Sequence, residues 1–250
     1  MNLTRRTALL VGLVSAALAI GVGAVAGSPA SVAKTVTMKD ARLKFEINAT
    51  DRDGGVQLFL DADSWKEMSL FDPAGRRILT ARTEGRMAKQ GGTELFLESA
   101  EPPFAELPIP RLLERWPAGV YRLRGEALNG DRYVGSARLT HDLPAGPKLL
   151  APLEGDGRQD LDRTVLRWRR VQPPNGSPII GYQVLVVNPE TALRSLPTQT
   201  LDVMMPPTAT SLVVPRGFLR PGTDYEWEVL AIERGGNQTL SSSTFTTARR

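Results

Sequence analysis

The pattern of apolar and polar residues changes once along the chain, near residue 33. An apolar stretch from Ala8 to Ala26 contains Ser15 as its one polar residue. Beyond it, short segments alternate apolar and polar positions between turn-forming residues, a period of two that is typical of β-strands. A convincing helical period appears only at Arg111–Trp116. The pattern predicts an all-β protein behind an N-terminal apolar segment.

Strands in the first half are bounded by residues that favour turns. The segment Asp72–Gly75 has Pro and Gly at reverse-turn positions, and Asn129-Gly130 supplies the positive φ angles of a tight hairpin. The predicted strands are Leu43–Asn48, Val56–Asp61, Lys66–Phe71, Arg77–Arg82, Glu94–Glu98, Gly119–Leu128 and Arg132–Thr140.

A second set of strands follows a segment rich in proline. Asp142–Pro152 holds three prolines and a glycine in eleven residues, which predicts a linker that joins neither sheet. The predicted strands beyond it are Thr164–Arg169, Ile179–Val187, Gln199–Val203, Ser211–Val214, Asp224–Ile232 and Thr239–Thr246.

The second half carries a specific set of aromatic residues. Trp168 lies in its first predicted strand, Gly181-Tyr182 opens the next, and Leu219-Arg220-Pro221-Gly222-Thr223-Asp224-Tyr225 precedes an inward-alternating series. Residues 148–248 thereby resemble a fibronectin type III domain. The resemblance implies a sandwich in which Tyr225 enters the core and bonds back to the backbone. The long stretch Asn188–Pro207 departs from the family, so its register stays open.

The first half repeats this corner more loosely. Trp116-Pro117-Ala118-Gly119-Val120-Tyr121 precedes its own alternating strand, so we describe this half as immunoglobulin-like. The predicted fold class is all-β, with two tandem immunoglobulin-like or fibronectin type III β-sandwiches after an N-terminal signal segment. The expected divisions are a signal peptide or N-terminal anchor at 1–33, a sandwich at 34–142, a Pro-rich linker at 143–152 and a fibronectin type III-like domain at 153–250.

We interpret residues 1–33 as an export signal. Arg5-Arg6 precedes the apolar stretch, and Ser31-Val32-Ala33 is the preferred of three small-residue cleavage sites. The alternative is an uncleaved anchor at residues 8–26, since this apolar stretch of 19 residues meets the length of a membrane span. Both interpretations place the rest of the chain in the periplasm or outside the cell, with membrane contact only through this segment.

Composition excludes several kinds of chemistry. The 250 residues include no cysteine and one histidine, His141, which excludes thiol catalysis, disulfides and a Cys/His zinc site. The 31 basic residues face 27 acidic ones, and without Arg5 and Arg6 the excess falls from four to two. This balance does not indicate a nucleic-acid partner. We expect no catalytic, cofactor-binding or metal-binding residues, and we interpret His141 as a solvated linker residue.

Two charged clusters have competing interpretations. Asn48–Gly55 resembles the start of a calcium loop but has no acid at the twelfth position, so we favour a hairpin with Asp turn chemistry. A basic cluster on or beside one strand is interpreted as the solvent-facing side of a sandwich, with Glu226 and Glu228 as partners across a sheet. Its members are Arg163, Arg167, Arg169 and Arg170.

Three residues are candidates for an interaction surface. Trp65 is the one tryptophan free to act as an exposed stacking platform, although core packing is the favoured interpretation. By alternation, Leu230 and Ile232 point outward, which indicates a face covered by the other domain or by a partner.

The leading functional hypothesis is a non-enzymatic, exported adaptor of a bacterial cell envelope that binds a protein partner. The first alternative is a carbohydrate or cell-wall binding protein that uses Trp65 and nearby acids. The second is a carboxylate-dependent hydrolase with its site in the first domain. A fold of this class does not by itself decide among them.

Overall fold

A computed structural model describes residues 33–188 and 200–249 of the chain. The predicted export segment therefore lies outside the described residues, apart from Ala33, and so does part of the stretch whose register was left open. In the ranges described, no helix is long and apolar enough to cross a membrane.

The described residues form β-strands with two short α-helices and one 3-10 turn (Pro174–Gly176), as the alternation predicts. The strand prediction is confirmed to within a few residues at most ends. In the first half the elements are β1 (Thr35–Thr37), β2 (Asp40–Asn48), β3 (Asp53–Phe71), β4 (Arg77–Arg82), α1 (Met87–Gln90), β5 (Gly92–Glu98), α2 (Ile109–Arg115), β6 (Gly119–Ala127) and β7 (Arg132–Leu139). In the second half they are β8 (Leu149–Ala151), β9 (Val165–Trp168), β10 (Ile179–Val187), β11 (Thr200–Met205), β12 (Ser211–Val213), β13 (Asp224–Glu233) and β14 (Gln238–Thr246).

The long strand β3 corrects one prediction. Val56–Asp61 and Lys66–Phe71 were expected as separate strands, but they form one strand of 19 residues. No glycine or proline lies between Asp61 and Trp65, so the chain stays extended through register shifts there. The first part of β3 pairs with β2 and β5, and the second part pairs with β4 and β6. One strand thus contributes to both layers of the first sandwich.

The first hydrophobic core lies between these layers. It includes Phe45, Trp65 and Tyr121, each at most 5% exposed. The Tyr121 hydroxyl donates a hydrogen bond of 3.0 Å to the carbonyl oxygen of Pro117, four residues upstream. This is the geometry of a tyrosine corner, so the looser sequence repeat corresponds to the same structural feature.

The second hydrophobic core lies between a sheet of three strands, β8, β9 and β12, and four strands in the order β14, β13, β10 and β11. Trp168, Tyr182 and Trp227 are fully buried in it, whereas Arg167 between two core residues is exposed. The Tyr225 hydroxyl accepts a 2.9 Å hydrogen bond from the Arg220 backbone N–H. The expected fibronectin type III-like sandwich and its corner are confirmed.

The proline-rich linker is more structured than predicted. Its residues Leu149–Ala151 form β8, which pairs with β9, so the expectation that it joins neither sheet is wrong. Proline is tolerated beside such a strand because β8 lies at a sheet edge, where backbone N–H groups on one side need no partner. The core residues fall on either side of residues 143–152, and the domain boundaries themselves stay a prediction.

A parallel strand pair joins the two halves. Residues 238–240 of β14 pair with residues 46–48 of β2, although nearly two hundred positions separate them in the chain. The strands β5, β3, β2, β14, β13, β10 and β11 therefore form one uninterrupted hydrogen-bonded path that crosses from the first core to the second. The outer face of this path is shared by both sandwiches.

Candidate interaction site

The shared outer face carries the residues of β13 that do not enter the second core. Trp227, Val229 and Ala231 are buried in that core, so Leu230 and Ile232 lie on the opposite side of the strand. Leu230 is only 4% exposed and is therefore covered rather than free. Ile232 is half-buried and lines a groove.

This groove, called here the junction groove, lies where the two sandwiches meet and has a volume of about 760 Å³. Strands β2, β3, β5 and β7 contribute its first side, and β10, β11 and the hairpin between β13 and β14 contribute its second. Its apolar lining includes Phe96, Ile180 and Met204, whose exposed fractions are 59%, 51% and 63%. Large apolar side chains this exposed, gathered in one concave place, are a feature of binding surfaces.

The charged lining of the junction groove is entirely cationic among the described residues, with Arg42, Lys44, Arg138 and Arg234. The Arg42 guanidinium lies 4.4 Å from the centre of the Phe59 ring and also contacts Asp40. The Lys44 ammonium donates to Gln238 Oε1 at 2.7 Å, and burial lowers the pKa of Lys44.

The other two arginines have no such partners. Arg138 and Arg234 are exposed, and neither forms an ion pair within residues 33–188 and 200–249. They are the cations of the groove that remain available to an incoming anion.

The hairpin that forms one wall is held by a buried carboxylate. Glu233 is fully buried and accepts hydrogen bonds from the Ser177 hydroxyl at 2.6 Å and from the backbone N–H groups of Gly235 and Asn237 at 2.6 Å and 3.0 Å. Both carboxyl oxygens of Glu233 thus have hydrogen-bond partners, as a buried polar group requires. These hydrogen bonds fix the hairpin, and with it the position of Arg234 next to Glu233.

Asn237 fixes the same hairpin to the first sandwich. Its Nδ2 donates to the Thr140 hydroxyl at 2.9 Å and to the Asp142 carbonyl at 3.3 Å. Its Oδ1 accepts the Phe45 backbone N–H at 3.0 Å. The two walls of the groove are therefore tied together by one buried side chain.

An acidic cluster lies beside the groove on the shared face. Carboxylate oxygens of Glu46, Glu98 and Glu101 fall within 4.8 Å of one another. Gln238 donates to Glu46, and Gln57 donates to Glu98 at 2.7 Å. Burial, with repulsion from Glu98, raises the pKa of Glu101 to about 7. Oxygen ligands of this kind suit hard cations, but three carboxylates alone do not define a site for one.

A fourth carboxyl group on this face is perturbed in the same direction. Burial raises the pKa of Glu228 to about 7, with repulsion from Glu226 adding to it. No local sequence pattern indicates the acidic cluster, because its three members come from β2, from β5 and from the loop after β5, and β2 and β5, which are distant in the chain, are brought together by pairing with β3.

Trp65 is not an exposed platform. It is 5% exposed and belongs to the first core, where an added Cβ on Gly92 would lie 2.5 Å from its ring. The register shifts of β3 just before it turn this part of the strand into the second layer, so the ring faces inward. The prediction that Trp65 could act as a stacking platform is therefore wrong, and the favoured interpretation, that it packs in the core, is confirmed.

The cross-sheet partners proposed for the basic cluster are also wrong. Arg167 lies on β9 in the sheet of three strands, whereas Glu226 and Glu228 lie on β13 in the opposing layer. Side chains that point away from the core on opposite layers cannot meet. The outer face of β9 is exposed to solvent, as the alternation predicts.

The segment Asn48–Gly55 is a hairpin, as favoured. Asn48 Oδ1 accepts the backbone N–H groups of Thr50 and Asp51, each at 3.0 Å, which is Asx-turn chemistry. The Thr50 hydroxyl accepts the Ser242 backbone N–H at 2.9 Å. The turn therefore extends the contact between β2 and β14.

His141 is not a solvated linker residue. It is half-buried, its Nε2 lies 2.9 Å from the Trp116 carbonyl oxygen, and its ring meets Phe45 edge-on at 6.0 Å. It packs at the end of the first core, which accounts for its position without a catalytic role.

No family model matches the chain, and no curated protein matches it either. Among solved structures, it is similar to the chicken CNTN1 FN1-FN3 domains (13% identity, TM-score 0.31, 86% of this chain and 65% of that one). It is also similar to a bacterial ice-binding adhesin (14%, TM-score 0.28, 87% and 66%) and to the fibronectin(III)-like modules of Clostridium thermocellum CbhA (11%, TM-score 0.30, 85% and 93%). The chain spans less than two thirds of the length of the first two. Likenesses this distant carry no information on function.

Proposed function

We propose that this protein is a non-enzymatic interaction module, exported to a bacterial cell envelope, that binds a protein partner. The observation that carries the proposal is the sheet path shared by both sandwiches, with a concave, partly apolar groove at their junction. Concave apolar surfaces with a few placed polar groups are typical of binding sites. The proposed export rests on the sequence, in which Arg5-Arg6 precedes an apolar stretch.

The structure weakens the carbohydrate alternative at its main support. That alternative needed Trp65 as an exposed ring, and Trp65 is buried in the first core. Sugar recognition also relies on stacking against exposed aromatic faces. The exposed lining of the groove contains the Phe96 ring beside the aliphatic side chains of Ile180 and Met204, so the test below includes glycan adducts as an outcome.

The proposal is tested by placing a photo-crosslinking amino acid at Met204 or Phe96 of the whole chain in its source cells. Val213 provides the matched control, because it is 59% exposed but lies on β12 in the sheet of three strands. We expect one dominant protein adduct from the two groove positions and none from Val213. Adducts with glycan alone, or the same adducts from all three positions, would count against the proposal.

A further inference from the structure

We propose that the junction groove binds an extended acidic segment of a protein partner, with its carboxylates on Arg138 and Arg234 and its apolar side chains against Phe96, Ile180 and Met204. This inference rests on the proposed protein-binding function and adds the chemical class of the ligand.

Charge complementarity selects an anionic ligand. Four cations line the groove, and none of its described lining residues is acidic. Arg138 and Arg234 are exposed and lack ion-pair partners within the described ranges, so their guanidinium groups are free to meet carboxylates. Arginine binds carboxylates through paired, parallel hydrogen bonds, which adds geometric selectivity to the attraction.

The apolar lining requires that the ligand also carry apolar side chains. Phe96, Ile180 and Met204 come from β5, β10 and β11, so they belong to both sandwiches and are brought together by the shared sheet. Each is more than half exposed, and covering them would remove apolar surface from water. A segment that alternates acidic and apolar residues satisfies both parts of the groove.

The size and surroundings of the groove favour a segment of chain over a large flat partner. Its volume of about 760 Å³ is within the range of about 300–1,000 Å³ that is usual for ligand pockets. A second copy of the chain would have to bury about 1,200 Å² or more to associate stably. A membrane surface is flat, whereas this surface is a groove between two walls.

The test uses a random decapeptide library displayed on phage and selected against the whole chain. We expect enrichment of peptides that combine Asp or Glu with large apolar residues. For a synthetic copy of an enriched peptide, Arg138→Ala with Arg234→Ala weakens binding at least about fivefold. Added salt also weakens binding of the peptide to the wild-type chain. Met204→Ser weakens it independently, because it removes apolar contact without disturbing either core.

Arg167→Ala with Arg169→Ala is the matched control, since these arginines are exposed on the other layer. It should leave binding unchanged. Enriched peptides without acidic residues, or equal weakening by the two double variants, overturn the inference.

Two further measurements distinguish the peptide from two other occupants of the groove, an anionic lipid surface and a second copy of the chain. The first is cosedimentation with phosphatidylglycerol vesicles. If the wild-type chain binds them, the Arg138→Ala, Arg234→Ala variant does not, and the library yields no enriched peptide, the inference is overturned in favour of lipid. Concentration-dependent dimerisation that the same variant abolishes overturns it in favour of a second copy. A protein adduct at Met204 in cells together with peptides that lack acidic residues would leave the proposed function standing while the ligand class fails.

Discussion

The backbone N–H of Phe45, at the centre of the first sandwich, donates to the side-chain oxygen of Asn237, 3.0 Å away in the hairpin of the second. The parallel ladder between β2 and β14 begins one residue later, with Glu46 opposite Gln238. Phe45 lies one residue before the ladder and has no partner in β14. The side-chain oxygen of Asn237 accepts its N–H instead. This bond joins the sandwiches where a strand pair alone would leave a buried donor unpaired.

Replacing Asn237 should weaken this junction. Asn237→Ala leaves the Phe45 N–H buried without its acceptor and removes the bonds to Thr140. An unsatisfied buried donor costs about 1–3 kcal/mol, so we expect a loss of stability of that size in urea unfolding.

Gln183→Ala is the control for this variant. Gln183 lies on β10, and its side chain makes exposed hydrogen bonds to Asp202 within the second sandwich. It should change stability by less than about 0.5 kcal/mol. Equal losses for the two variants would show that Asn237 has no special role at the junction.

The two tyrosine corners should be energetically similar. Tyr121→Phe and Tyr225→Phe each remove one hydroxyl that bonds to the backbone, to Pro117 and Arg220 respectively. We expect each to lower the free energy of unfolding by about 0.5–1.5 kcal/mol. Tyr133→Phe, at a hydroxyl without a hydrogen-bond partner in the described ranges, should be nearly neutral. A loss for Tyr133→Phe as large as the others would argue against the corners as the cause.

The inward position of Trp65 depends on the absence of a side chain at Gly92. A Cβ there would lie 2.5 Å from the indole ring, so Gly92→Ala should lower stability by about 1–3 kcal/mol in thermal or urea unfolding. Gly157→Ala provides the control, because nothing lies within 4 Å of its added Cβ. If Gly92→Ala were as neutral as Gly157→Ala, the packing described for this part of β3 would be wrong.

Stability should fall as pH rises from about 4.5 to about 7. Burial raises the pKa values of Glu101 and Glu228 from 4.5 to about 7 in the folded protein. Between these values the folded state holds protons that the unfolded state has released, so rising pH favours unfolding. Above about 7 both states are deprotonated at these groups, and their effect no longer changes.

Urea unfolding at pH 5 and pH 8 measures this effect. Glu101→Gln with Glu228→Gln should reduce the difference between the two pH values, because neither side chain then titrates. Glu94→Gln, on an exposed part of β5, is the matched control and should keep the wild-type difference. A double variant with an undiminished pH dependence would place its origin elsewhere.

Sequence patterns predict the parts of this structure that depend on local alternation. The inward series on β13 and the corner at Tyr225 are set by residues close together in the chain, and both were predicted. The strand at Leu149–Ala151 was missed because flanking prolines mask a short edge strand. The continuity of β3 was missed because the inward-facing series changes phase between Ala62 and Trp65, at the register shifts, which in the sequence resembles the end of one strand and the start of another.

The candidate site was only partly predictable. The outward direction of Ile232 follows from alternation, and it does line the groove. Arg138 and Met204 come from strands that are distant in sequence, and they share a groove only because β14 pairs with β2. No local pattern encodes that pairing.

Hydrogen exchange of the whole chain, with and without an acidic peptide enriched by selection, tests the central claim most directly. We predict that the peptide slows exchange in β5, β7, β10, β11 and the hairpin around Arg234, and leaves β8, β9 and β12 unchanged. Protection confined to the sheet of three strands, or absent from both walls of the junction groove, would contradict the account.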